Sequence, residues 1–192
     1  SPNNTIDNVS ILNHTIINNG LTSSWSAGGI NVDSKDSSNT ITNVMIKNSI
    51  LWGNNLDDAI GGATAPSVVA NNLINDIDYT GINGNFYNDP DFVDSASGNY
   101  RLLPSSSCID VGDSTASGVS AKDLDGNIRV VDGDGNTDAV IDLGAWEYDA
   151  GEIQNIAVEN SGVSILNRDL IPVPWDGTNF GNAEIGGTPV QH

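Results

Sequence analysis

Short runs of alternating apolar and polar residues, each closed by Asn or Gly, recur along the first half of the chain. Asn8-Val9-Ser10-Ile11-Leu12-Asn13-His14-Thr15-Ile16-Ile17-Asn18 overlays Asn43-Val44-Met45-Ile46-Lys47-Asn48-Ser49-Ile50-Leu51-Trp52-Gly53 without a gap, and Val68-Val69-Ala70-Asn71-Asn72-Leu73-Ile74-Asn75 repeats the middle of the pattern. In register, Ile11, Ile46 and Val69 coincide, then Asn13, Asn48 and Asn71, then Thr15, Ile50 and Leu73. The steps between copies are 35 and 23 residues, the longer one holding the Ser- and Gly-rich stretch 21–39. Alternation over a short run that ends in Asn or Gly predicts a strand followed by a turn. One strand per 20-odd residues, with like residues at like phase, predicts an all-β protein built as a β-solenoid. Its coils stack about 4.8 Å apart, and each buries its inward face on its neighbours. Equal phase also predicts that Asn13, Asn48 and Asn71 form a structural ladder, each amide bonding its counterpart in the next coil. Asn8-Val9-Ser10 and Asn13-His14-Thr15 read as glycosylation sequons too, but the ladder accounts for their Asn residues without modification.

Composition narrows the class. With 192 residues and 38% hydrophobic, the chain supports one core and not two large ones. It carries 26 Asn, 21 Gly and 21 Asp among its 25 acidic residues, a mixture that favours turns and weakens helix interiors. A mainly helical fold is thereby excluded. Six cations against a net charge of −19 cannot build the basic stripe that a nucleic-acid binder needs. No run of about 18 apolar residues is present to span a membrane. Cys108 is the single cysteine, so there is no disulfide framework; among Ser107, Ile109 and Val111 it reads as a small buried side chain. The chain opens Ser1-Pro2-Asn3-Asn4 without an initiator Met and reads as a piece of something longer.

Six motifs then follow in order. They are Asn48-Ser49-Ile50-Leu51-Trp52-Gly53-Asn54, Asn88-Asp89-Pro90-Asp91-Phe92-Val93-Asp94, Gly98-Asn99-Tyr100-Arg101-Leu102, Ser106-Ser107-Cys108-Ile109-Asp110-Val111-Gly112-Asp113, Asp123-Leu124-Asp125-Gly126-Asn127-Ile128-Arg129 and Ile141-Asp142-Leu143-Gly144-Ala145-Trp146-Glu147-Tyr148. Over residues 8–148 the series resembles the end of bacterial right-handed parallel β-helix surface proteins of the choice-of-anchor Q family, related to polymorphic outer-membrane proteins. The resemblance implies three parts: the last coils of the β-helix over 1–88, its closing cap and hairpin over 89–150, and a different module over 151–192. Within the last, Ile153-Gln154-Asn155-Ile156, Val163-Ser164-Ile165-Leu166-Asn167 and Trp175-Asp176-Gly177-Thr178-Asn179-Phe180-Gly181 resemble the opening of a choice-of-anchor D module, an immunoglobulin-like sandwich. A few strands cannot bury both faces of a sandwich, so this truncated segment is expected to be poorly ordered or to pack on its neighbour.

The richest candidate chemistry is Asp132-Gly133-Asp134-Gly135-Asn136-Thr137-Asp138. Oxygen donors at Asp132, Asp134, Asn136 and Asp138 suit a hard cation such as Ca²⁺, as in the front of an EF-hand loop, although Leu143 stands where the bidentate Glu would be. The competing reading is a hairpin loop between Ile128–Val131 and Ala139–Ile141, in which Asp and Gly serve turn geometry. Catalytic constellations are thin. Asp57-Asp58 reads as a solvated turn, and Asp76 and Asp78 share one side only if Asn75–Tyr79 is extended. His14 is expected to face solvent. The aromatic residues Trp25, Trp52, Trp146, Trp175, Tyr79, Tyr87, Tyr100 and Tyr148 suit either sugar stacking or cover for an open solenoid end, with Trp146 and Tyr148 on one side of a strand.

These readings converge on an extracellular or cell-surface segment that is structural and adhesive rather than catalytic, with a polysaccharide or cell-surface glycan as the expected partner. The alternative is the C-terminal part of a polysaccharide lyase or glycoside hydrolase whose active coils precede Ser1. In that class a Lys or Arg base, or a pair of carboxylates, would carry the chemistry.

Overall fold

The computed structural model describes residues 4–19, 28–34, 37–54 and 59–150, and the backbone of Glu159–Asn160 and Val163–Ser164. The chain divides into two compact units, Ser1–Ala150 and Gly151–His192. In the first, the strands are β1 (Thr5–Asp7), β2 (Ser10–Leu12), β3 (Thr15–Ile17), β4 (Ile30–Asn31), β5 (Thr40–Thr42), β6 (Met45–Lys47), β7 (Ile50–Trp52), β8 (Ile60–Gly61), β9 (Val68–Ala70), β10 (Leu73–Ile74), β11 (Phe92–Asp94) and β12 (Asn99–Leu102). No α-helix occurs among the described residues, which are all-β.

The pairing follows the sequence register. β2, β6 and β9 form one parallel sheet through Ile11, Ile46 and Val69, and β3, β7 and β10 another through Thr15, Ile50 and Leu73. Two-stranded parallel sheets join β1 to β5 and β4 to β8. These sheets are open, with two or three strands each. β11 and β12 form an antiparallel hairpin across a 3₁₀ turn, Ser95–Ser97.

Asn residues set the corners between strands. Asn8 and Asn43, Asn13, Asn48 and Asn71, and Asn18 with Gly53 are left-handed at equivalent positions, with φ between 52° and 64°. Outside glycine, Asn is among the residues that enter this region at least cost, so backbone geometry accounts for Asn at these corners. The amide ladder expected at Asn13, Asn48 and Asn71 is not formed as drawn from the sequence. Asn13 Nδ2 donates to the Asp142 carbonyl at 3.2 Å. The Asn48 amide donates to the Asp113 carbonyl and accepts the Asp113 N–H. In a left-handed corner the side chain leaves the strand line, and these two amides meet the segment that follows the parallel strands.

A side chain-to-backbone relay runs instead through the next position. The His14 N–H donates to Ser49 Oγ, the Ser49 N–H to Asn72 Oδ1 and the Asn72 N–H to Asn85 Oδ1, at 3.1, 2.9 and 3.0 Å. Asn85 and Phe86 thereby extend the register past β10, where Phe86 bridges Leu73 in parallel and shields the sheet's last edge.

Alternation along the strands feeds two cores. Ile46, Leu51, Val69 and Ile74 turn inward and pack with Ile30, Val32, Val44, Ala59 and Ile60. Ile50 and Leu73 turn the other way and pack with Leu102, Cys108, Ile109 and Leu143. Each fully buried aliphatic side chain contributes roughly 1.5–3 kcal/mol, so both faces of β7 and β10 stabilise the unit. Trp52, Phe86, Phe92 and Tyr148 gather around this second core. Trp52 stacks on Tyr87 there, at 5.1 Å between ring centroids. Trp52, Tyr87 and Tyr148, expected either to stack on sugars or to cover an open solenoid end, thus lie by the outward face of a sheet.

The segment after β12 is laid along that face. The Gly144 N–H donates to the Asn48 carbonyl, the Leu143 N–H to that of Cys108, and the Ala145 N–H to Thr15 Oγ1. Gly144 sits at φ +95°, where a Cβ would come 2.7 Å from Thr15 Oγ1, so this approach requires glycine. Ile141–Tyr148 is not a strand; its N–H groups serve these cross-segment bonds. The expected hairpin of 128–131 with 139–141 reduces to one antiparallel bridge, Val131 to Val140. Asn75–Tyr79 is not extended either. The Tyr79 and Thr80 N–H groups turn back to the Asp76 carbonyl, and the buried Asp76 carboxylate accepts the N–H groups of Ile60 and Asp78.

In the second unit β13 (Glu159–Asn160) pairs antiparallel with β14 (Val163–Ser164). The expected sandwich opening and its order otherwise lie outside the described residues, as do Trp25, Asp57, Asp58 and Trp175.

Candidate functional site

The chemistry-bearing side chains gather in the segment 108–148. Carboxylate oxygens of Asp110, Asp132 and Asp134 lie within 4.8 Å of one another. Asp132 and Asp134 belong to the loop singled out in the sequence; Asp110 comes from the Cys108–Asp113 motif and was not foreseen. Asp138 is not part of this carboxylate triad, and Asn136 adjoins it. Asn136 Nδ2 donates to Asp134 Oδ2, while its Oδ1 accepts the Asp138 N–H at 2.7 Å.

Backbone donors already occupy much of this corner. Asp132 Oδ1 accepts the N–H groups of Gly135 and Asn136, and Oδ2 that of Thr137. Asp110 Oδ2 accepts those of Gly133 and Asp134, at 2.9 and 2.8 Å. The Asp-Gly alternation is therefore accounted for by side chain-to-backbone turns. Burial raises the Asp110 carboxyl above its usual range, and the charges of Asp134 and Asp132 push the same way against those N–H bonds. Three carboxylates in this arrangement offer oxygen ligands to a hard cation.

A buried polar cluster lies behind the corner. Asp142 is fully buried, and Arg129 and Glu147 nearly so. Arg129 Nη1 meets Glu147 Oε2 at 3.2 Å and also donates to the Gly144 carbonyl, while Nη2 donates to that of Ala145. Glu147 Oε1 accepts the Asp142 N–H, and the Asp142 carboxylate accepts the N–H groups of Tyr148 and Asp110. Burial pushes Asp142 up to about 7 and Glu147 up to about 8; the charge of Asp110 adds to the first shift and that of Asp142 to the second, while Arg129 and the N–H bonds pull the other way. Asp123 behaves oppositely. Burial is its largest single influence and acts upward, but N–H bonds from Glu147, Asn127 and Asp125 together hold it low. Lys47, 2.8 Å from Asp113, holds that carboxyl down at about 2.

These bonds tie the parts of the segment 108–148 to one another. Cys108 is fully buried and burial pushes its thiol up to about 12, far from thiolate character at neutral pH. His14 is exposed, and its Nδ1 lies 2.8 Å from the Leu12 carbonyl. Arg129 and Glu147 could have been paired from their motifs only with the knowledge that the two segments meet; nothing in their spacing says so.

No protein-family model, curated protein or solved structure matches the chain.

Proposed function

We propose that residues 1–150 are the last coils and closing segment of a right-handed parallel β-helix in an exported bacterial surface protein of the choice-of-anchor Q kind. Residues 151–192 would begin a choice-of-anchor D-like module. The role is structural and adhesive: the segment ends and seals a stalk and presents its surface to glycans outside the cell. The observation that carries this reading is the parallel register of β2–β6–β9 and β3–β7–β10, with steps of 35 and then 23 residues and equivalent left-handed corners. Unequal steps between identical strand positions are what coils with variable loops produce. The acidic surface, at −19, supports solubility of an exposed stalk. Ca²⁺ at the Asp110–Asp132–Asp134 corner belongs to the same proposal, supported by the convergence of a third carboxylate from a separate segment.

The test uses antibodies against this chain on intact cells that produce the protein, alongside incubation of the chain with neutral and anionic polysaccharides. Surface labelling with no shortening of any polysaccharide supports the reading. Label confined to permeabilised cells contradicts export, and any turnover establishes the lyase or hydrolase alternative.

A further inference from the structure

We infer that a cavity of about 410 Å³ between the coil edge and the closing segment binds a ring of an acidic sugar, a uronate, within a glycan. This site deepens the adhesive reading and rests on it for the origin of its ligand. The volume falls in the range of roughly 300–1,000 Å³ typical of small-molecule sites. Asn13 and Thr15 line it from the coil, and Tyr100, Lys122, Arg129 and Trp146 from the closing segment.

Two buried polar atoms in this lining lack a partner. Asn13 Oδ1 is an acceptor with no donor, and Arg129 Nε a donor with no acceptor. Asn13 Nδ2 is committed to the Asp142 carbonyl, which fixes the orientation of the amide. Arg129, with its side chain only 5% exposed, spends its other nitrogens on Glu147, Gly144 and Ala145. Unmade bonds of this kind are costly and rare in a folded protein. Both atoms are closed off from water, so at this end of the cavity a ligand meets the Thr15 hydroxyl rather than these two groups. Thr15 Oγ1 already accepts the Ala145 N–H, which leaves its own O–H free to donate.

The walls supply the apolar part. Tyr100 is held edge-on by Phe92 at 5.4 Å, and Trp146 is fixed by its Nε1 bond to Asp125 and by Arg101, 5.7 Å from the ring centroid. Aromatic rings already held in place lose little entropy when a ligand's apolar face packs on them.

Charge selects an acidic ring. Lys47, Arg101 and Arg129 each pair with a carboxylate, whereas Lys122 has no ion pair among the described residues. In a chain of net charge −19, an exposed unpaired cation at a cavity is placed to receive a carboxylate. Asp123 also lines the cavity, but its oxygens are taken up by N–H groups of Asp125, Asn127 and Glu147.

The test is calorimetric titration of the 192-residue chain with a galacturonate oligosaccharide and with the matching neutral galactose oligosaccharide, paired with amide NMR to locate the ligand. The galacturonate probe is expected to bind saturably and to shift the signals of Lys122, Ala145 and the Trp146 indole. The neutral probe and the exposed-site variant Lys122→Gln are each expected to bind about tenfold more weakly, the loss of one charge-assisted bond. No saturable binding, equal affinity for the two probes, or shifts away from these residues would overturn the site and leave the stalk-ending role standing. Shortening of the probe would instead overturn the non-catalytic reading while keeping the site.

Discussion

The Ser49 N–H donates to Asn72 Oδ1 at 2.9 Å across a step of 23 residues, so one side chain ties two successive strands at their shared corner. Asn72 is fully buried, and its amide nitrogen also meets the Ile46 and Ala70 carbonyls. Asn71 beside it has a different duty, the left-handed turn itself at φ 53°. Two adjacent Asn residues thus carry separate roles, one in hydrogen bonding and one in backbone geometry.

That division gives the first prediction. Asn72→Ala strands several buried backbone groups and is expected to cost about 3 kcal/mol in urea unfolding. Asn71→Gly is expected to stay within about 0.5 kcal/mol of the parent, since glycine enters the same region freely. Equal costs for the two changes would contradict the assignment.

Gly144 supplies the second. A methyl group there meets both a positive φ and Thr15 Oγ1 at 2.7 Å, so Gly144→Ala should lift residues 143–145 from β3 and β7. Strain of this kind costs about 2 kcal/mol or more, and thermal unfolding should show it. Amide exchange should speed up at Leu143–Ala145 before it does so in β6 and β7.

Stability should depend on pH in a definite direction. Asp142 and Glu147 are raised from 3.8 and 4.5 to about 7 and 8, so the contribution of their protonated forms is complete below about pH 4 and lost as pH rises through 7–8. Asp113 is lowered to about 2, so its contribution is present above 3.8 and lost as pH falls through 2. The melting temperature is therefore expected to fall between pH 5 and 8, and Glu147→Gln should flatten that slope. A parent melting temperature that rises over this interval would contradict the buried cluster.

Calcium offers a fourth measurement. The mutual repulsion of Asp110, Asp132 and Asp134 is relieved by a divalent cation, so millimolar Ca²⁺ should raise the melting temperature. Asp110→Asn should abolish the rise. An unchanged melting temperature in the parent would leave the corner as a turn alone.

The strand register was legible in the sequence because three copies carry like residues at like phase, as at Ile11, Ile46 and Val69. The role of Asn13 and Asn48 was not, because periodicity reports position and not what a side chain meets. Both amides bond the later segment, at Asp142 and Asp113, and contacts across such separations leave no periodic trace. The same holds for Asp110 beside Asp132. Asp132 and Asp134 could be read from local spacing, whereas the third carboxylate is brought in by the fold. Ile141–Tyr148 alternates like a strand but spends its N–H groups on Asn48, Cys108 and Thr15, so tertiary bonding displaced the local preference.

The central claim is the parallel pairing of strands 23 residues apart, and inter-strand proton contacts in the NMR spectrum of the chain test it most directly. The account predicts the N–H to Hα pattern of parallel strands, linking Met45 with Val68, Ile46 with Val69 and Ile50 with Leu73, and continuing from Leu73 to Phe86. Antiparallel contacts between β6 and β7, as in a simple hairpin, would contradict it.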